Sequence, residues 1–172
     1  MSTQLLEKPI EESVFADGRL YCATSNLGLE LFAGRPFKRG EIILIFKGNI
    51  IGFAEAVAKG DRECWPLQIG YGKYIDLEKP GCLANHSCEP NAGIRDDGST
   101  THVCLIALQD IFPNDEIRYD YSTTMDEDSF TMQCNCGSKN CRGVVEDFKR
   151  LPLDVQNHYL QDGLVMKFIA KI

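Results

Sequence analysis

Three cysteines, Cys134, Cys136 and Cys141, fall within eight residues in the run Cys-Asn-Cys-Gly-Ser-Lys-Asn-Cys. Polar and Gly neighbours favour a tight irregular loop there over a helix or strand. A closed structural zinc site is tetrahedral and takes four ligands, so a three-thiol loop calls for a fourth ligand from elsewhere. Of the other cysteines, Cys88 is the best candidate, because it lies in the polar, Pro-containing segment Asn85-His86-Ser87-Cys88-Glu89-Pro90-Asn91. Cys82 competes with it. Cys104, inside the apolar run 103–108, together with Cys22 and Cys64, reads as a small buried hydrophobe. The alternative for the whole cluster is a set of free or disulfide-paired thiols. Eight cysteines are many for a reducing compartment, and Glu7 and Lys8 stand where an export signal would carry its apolar stretch. An intracellular protein is therefore expected, in which clustered thiols hold one structural Zn2+.

Other chemistry-bearing groups are fewer. Tyr119 and Tyr121 occur in Glu-Ile-Arg-Tyr-Asp-Tyr, and the three histidines are His86, His102 and His158. A lone histidine is more often a satisfied core or surface residue than a ligand, and nothing around His102 or His158 lifts them above that. The formal charge of −7 argues against a broad footprint on nucleic acid or anionic lipid and favours a basic partner. Residues 110–130 carry seven acids against one base, Arg118. Such a run is either a solvated surface or a face that attracts cations.

The elements that must position these groups are mostly strands. A chain of 172 residues with 44% apolar content suits one ordinary domain. Its longest apolar runs, 42–46 and 103–108, fall far short of the roughly 20 residues a membrane span needs. Segments 20–24, 41–46, 74–77, 103–108 and 116–121 read as short strands, rich in Ile, Val, Tyr and Phe and bounded by Gly, Pro, Asn or Asp. Residues 53–59 suit a short helix ended by Gly60, and 153–171 carry a helical pattern after Pro152 that Gly163 interrupts. Turns are signalled at 38–40, 96–98 and 113–115. Helices are expected at the periphery.

Taken in order, Asn85-His86-Ser87-Cys88-x-Pro90-Asn91, Glu116-Ile117-x-Tyr119-Asp120-Tyr121 and Cys134-x-Cys136-Gly137-x-x-x-Cys141-Arg142-Gly143 resemble a SET-domain protein-lysine methyltransferase with its post-SET zinc loop. Upstream, Gly28-Leu29-Glu30-Leu31-Phe32-Ala33 and the glycine-punctuated segment 37–51 are similar to the family's cofactor segment. The likeness spans about residues 19–144. It implies a mostly β fold of several small sheets, in which the chain after Asp110 threads beneath the 85–91 loop as a pseudoknot. A C-terminal helical segment follows the zinc loop. The implied divisions are an N-terminal segment 1–18, a SET domain 19–125, a post-SET zinc loop 126–144 and a helical extension 145–172. No pre-SET cysteine array precedes the core, so a minimal module is expected.

The resemblance also implies a reaction and roles. S-adenosyl-L-methionine would be the cofactor, held by the backbone of Gly28 and Leu29 and by Asn85, His86 and Tyr121. Tyr121 would be the catalytic tyrosine, and Tyr119 would line the substrate-lysine channel and limit the product to one or two methyls. Cys88, Cys134, Cys136 and Cys141 would hold the zinc. The sequence departs from the family pattern at Glu30, where a second glycine is usual, and at Cys82, where an arginine is common. The expected partner is a basic, histone-like protein or peptide, drawn to Asp126, Glu127 and Asp128, with no direct nucleic-acid or membrane contact, in the cytoplasm or nucleus. The alternative is a catalytically weak SET module that only binds basic peptides.

Overall fold

The computed structural model describes residues 13–15, 18–25, 28–59, 65–98 and 102–171. Among them the chain forms small sheets joined by turns. Strands β1 (Ser13–Phe15), β2 (Leu20–Ser25) and β3 (Gly28–Ala33) make an antiparallel meander, with Leu20 opposite Ala33 and Ser25 opposite Gly28. β4 (Ile42–Ile45) and β5 (Gly48–Gly52) follow, then helix α1 (Phe53–Lys59). Next come β6 (Leu67–Gly70), β7 (Lys73–Leu77), the two-residue β8 (Asn85–His86), β9 (Ala92–Asp96) and β10 (Val103–Ala107). The chain continues through β11 (Arg118–Tyr119), β12 (Met132–Gln133) and β13 (Val144–Val145) to helices α2 (Leu153–Gln161) and α3 (Lys167–Ala170).

β10 lies between β4 and β9, and all five of its residues are buried. A strand covered on both faces is why 103–108 shows no apolar alternation. Its outer neighbour β4 is covered only in part, with Ile43 and Leu44 buried and Ile42 and Ile45 exposed. A third sheet orders β5, β7 and β6. The main core collects Leu20, Leu31, Phe37, Ile43, Ile94, Leu105, Ile111 and Ile117 from these layers. Each such side chain contributes about 1.5–3 kcal/mol by leaving water.

Four expected strands stand close to their expected bounds, and α1 spans 53–59 as expected, while Gly60 and Cys64 lie outside the described residues. The expected strand 116–121 is a correction. Only Arg118–Tyr119 forms a strand, with Glu116 in an isolated bridge to Phe32, and the strand ends because the Asp120 carboxylate accepts the Ser122 N–H and starts a tight 3-10 turn over Tyr121–Thr124. The C-terminal segment is the second correction. Gly163, at φ +65°, breaks it as expected, yet it is not peripheral: Tyr159, Leu164, Val165, Met166 and Ile169 are buried in the main core. Among the described residues no helix is long and apolar enough to cross a membrane.

Candidate active site and metal centre

β8 pairs in parallel with β11, Asn85 opposite Arg118 and His86 opposite Tyr119. Asn91 reinforces this: its Nδ2 donates to the Glu116 carbonyl at 2.8 Å and its Oδ1 accepts the Arg118 N–H at 3.0 Å. The Ser87 N–H completes the lacing by donating to the Tyr119 carbonyl at 3.0 Å. Two motifs far apart in the sequence thus meet, and the Tyr121 N–H donates to His86 Nδ1 at 3.2 Å. The rings of Tyr119 and Tyr121 lie 4.8 Å apart, and the Tyr121 hydroxyl donates to the Ala84 carbonyl at 2.9 Å.

Both tyrosines line a cavity of about 50 Å3, together with Trp65, Tyr74, Phe130 and Asp147. The Trp65 and Phe130 rings lie 4.6 Å apart, tilted by 32°, and the Tyr74 hydroxyl donates to the Glu127 carboxylate. Asp147 is 3% exposed, and burial pushes its carboxyl above the ordinary range despite the Asp128 N–H and Lys149 beside it. A narrow aromatic slot of this size admits an unbranched chain.

Behind Tyr121 lies a buried polar knot. Burial lowers the His86 pKa to about 4, outweighing Asp120 nearby, so the imidazole is neutral at pH 7. Because Nδ1 accepts the Tyr121 N–H, Nε2 carries the proton, and it faces Cys88 Sγ at 3.3 Å. The 3.5 Å approach of Nδ1 to Asp120 is therefore a contact of a neutral ring, not an ion pair. Asp120, 1% exposed, has its true counter-ion in Arg142, whose Nη2 donates to Oδ1 at 2.7 Å.

The sulfurs of Cys88, Cys134, Cys136 and Cys141 all lie within 4.8 Å of one another, with Cys88 to Cys134 at 3.7 Å and Cys134 to Cys141 at 3.5 Å. Tetrahedral zinc with Zn–S bonds of about 2.3 Å sets its sulfurs about 3.8 Å apart, so the donor set fits that ion. Burial raises the thiol pKa of Cys88. A bound dication reverses that preference by stabilising thiolate. Cys82, the competitor for the fourth place, instead lines the aromatic cavity. Cys22 and Cys104 are buried in the core, and His102 and His158 are exposed.

Gly28 adopts φ +114°, a conformation that favours glycine, with open space where a side chain would project. Glu30, 6% exposed, follows it on β3. It helps burial raise the Glu116 pKa, against the opposing contacts from Asn85 and Arg118. Glu30 of β3 and Asn85 of β8 thus both act on Glu116. The acids 126–128 are engaged internally: Asp126 accepts from the Tyr71 hydroxyl, Glu127 from Tyr74, and Asp128 from Lys149 and Arg150. Sequence reasoning missed Trp65, Tyr74, Phe130, Asp147, Arg142 and Tyr159. Only Arg142 had a signal, its place directly after Cys141 in the zinc-loop motif.

The family profile of the SET domain matches residues 28–122, and the chain belongs to the SET-domain family. It is 30% identical over 135 residues to histone-lysine N-methyltransferase ATX2 of Arabidopsis thaliana, covering 70% of this chain and 12% of that protein. It is 31% identical over 130 residues to human histone-lysine N-methyltransferase 2B, covering 67% of this chain and 5% of the relative. The chain therefore spans a small part of these relatives' length. Among solved structures, Arabidopsis thaliana SUVH6 in complex with SAM matches with TM-score 0.57 at 24% identity, over 70% of this chain and 31% of that one. KRYPTONITE in complex with mCHG DNA and SAH matches with TM-score 0.54 at 22% identity, over 70% and 27%.

Proposed function

We propose that this chain is a protein-lysine N-methyltransferase that uses S-adenosyl-L-methionine and adds one or two methyl groups to a lysine of a basic, histone-like protein. The observation that carries the reading is Tyr121, held by His86 and by the Ala84 carbonyl, at a small aromatic cavity. In this reading residues 19–125 are the SET domain, 126–144 the zinc loop and 145–172 an extension, acting in the cytoplasm or nucleus.

When bound, S-adenosylmethionine supplies an electrophilic methyl group on a sulfonium. The protein must align a lysine nitrogen with it in line, so positioning carries much of the catalysis. A free lysine has a pKa of about 10.4, and the amine must be neutral to attack. The cavity walls of Trp65, Tyr74, Tyr119 and Phe130 desolvate the amine and thereby lower that pKa. The Tyr121 hydroxyl donates its hydrogen bond to the Ala84 carbonyl, so toward the reacting groups its oxygen acts as an acceptor and favours their positive charge. Gly28 and Leu29, with Asn85 and His86, hold the cofactor, while Cys88, Cys134, Cys136 and Cys141 take the zinc. Names of relatives such as ATX2 and the charge of −7 support a basic substrate. Because the acids 126–128 are already paired internally, that attraction rests on overall charge more than on this cluster.

The test is transfer of labelled methyl to histones and to a basic-protein extract, with Tyr121→Phe and a zinc-chelated sample beside the wild type. Transfer by the wild type and at least a tenfold loss in both controls is the expected result. Absence of transfer together with absence of thermal stabilisation by S-adenosylmethionine would leave a module that only binds basic peptides, the outcome that Glu30, two residues after Gly28, would explain.

A further inference from the structure

We infer that the C-terminal extension is part of the active site, and that Tyr159 is a positioning residue acting through Asp120 on Tyr121. The kinetic half of this inference rests on the methyltransferase reading; the structural half does not.

α2 reads Leu-Asp-Val-Gln-Asn-His-Tyr-Leu-Gln, and Tyr159 is its buried residue. A tyrosine that buries its ring beneath a polar helix needs a partner for its hydroxyl. The partner is Asp120 Oδ2, at 3.0 Å. The other oxygen, Oδ1, is already occupied by Arg142 Nη2 at 2.7 Å and by the Ser122 N–H at 3.1 Å. That last bond starts the 3-10 turn whose first residue is Tyr121. The orientation of one buried carboxylate therefore sets the turn that aims the tyrosine, and Tyr159 fixes that orientation from the opposite oxygen.

Two further bonds from the same extension grip the same turn. The Phe148 N–H donates to the Met125 carbonyl at 3.0 Å, just past the turn, and the Met166 N–H donates to the Thr123 carbonyl at 3.1 Å, inside it. Residues before, within and after α2 thus clamp Tyr121–Thr124 at separate points, and Met166 is 1% exposed. A helix that merely covered the core would not need hydrogen bonds to this turn. Loss of the Tyr159 hydroxyl leaves Oδ2 without that donor and lets the carboxylate turn, which moves the Ser122 N–H and, with it, Tyr121.

Tyr159→Phe keeps the ring and removes only the hydroxyl. The expected result is a fall in kcat of about tenfold with KM for a histone peptide within about twofold, with zinc content close to wild type and Tm lower by about 3–10 °C. Placing 4-aminophenylalanine at position 159 restores a donor and brings kcat back to within about threefold of wild type; it is also the fallback if Tyr159→Phe does not fold. In Asp120→Ala, which removes both carboxylate oxygens, the further change Tyr159→Phe should add nothing, since the effect travels through Asp120. The second readout needs no substrate: in nitrogen-labelled protein, the His86 ring and Tyr121 amide signals should move in Tyr159→Phe. A folded Tyr159→Phe with unchanged kcat, or effects that add fully to Asp120→Ala, overturns the inference. If the wild type transfers no methyl to any basic protein, the methyltransferase reading falls instead. The nuclear resonance readout then decides the coupling alone, with movement supporting it and unmoved His86 and Tyr121 signals overturning it.

Discussion

On one side of Tyr121 lies the main apolar core, layered from β2, β3, β4, β9 and β10 and closed by Met166 and Ile169. On the other lies a cluster of three buried apolar residues, Met125, Cys134 and Val145, around four thiols. The first region can hold itself by burial, since its interior is deep and its strands pair along several residues. The second cannot. β12 and β13 pair over two residues each, and an isolated pair that short is not stable in water. Its order must come from the metal that the thiols fit. Tyr121 sits at the seam, where His86 faces Cys88 on one side and Asp120 meets the core helix on the other. The site therefore depends on two kinds of stability that can be removed separately.

The largest expected effect separates the two regions. Chelation, or Cys141→Ser, should leave β4, β9 and β10 protected from hydrogen exchange while residues 132–145 exchange freely, and methyl transfer should fall by more than the 10–100-fold that outer-shell partners of a metal are worth. Equal loss of protection in both regions would show that the metal holds the whole fold. The reverse change is Leu105→Ala in the fully buried β10, which should cost about 2–5 kcal/mol and lower Tm by about 10 °C without altering zinc content. Zinc loss in that variant would erase the distinction.

How much of this could be read from residues alone follows the same division. The four-thiol cluster was legible because thiol spacing is a local signal and tetrahedral chemistry demands a fourth donor. Choosing Cys88 over Cys82 needed only the polarity of its segment. The cavity was not legible in the same way: Trp65 and Phe130 are far apart in the chain and meet in the fold, where Asp126 and Glu127 also bind Tyr71 and Tyr74 on the β6–β7 side. The same acids read as a free cationic attractant in sequence, since charge alone does not reveal partners such as Lys149. Residues 116–121 looked like one strand because Tyr and Ile favour extended backbone, yet the Asp120 cap ends it early. Tyr159 was hidden by the polarity of its own helix.

Smaller effects test the cavity itself. Tyr119 lies beside Tyr121 and Phe46 and is 5% exposed. Tyr119→Phe removes one hydroxyl from the slot and should raise the methylation state by one step, with total turnover within about threefold, as read by mass spectrometry of product peptides. An unchanged product distribution would place that hydroxyl outside the reach of the amine.

The smallest effect concerns Asp147, whose carboxyl burial pushes above its ordinary range. A carboxyl raised in the folded state favours folding fully below its unfolded pKa of about 3.9, and that contribution is lost as pH rises through the raised folded value. At neutral pH the buried charge therefore weighs against the fold, only partly offset by the Asp128 N–H and Lys149. Asn can still accept the Asp128 N–H but carries no charge to desolvate. Asp147→Asn should thus raise Tm at pH 7 by up to about 2 °C, and the gain should vanish near pH 4. A loss of stability at pH 7 would mean that Lys149 compensates the charge more than burial penalises it, and the cavity wall would then belong with the ion-paired surface rather than with the core.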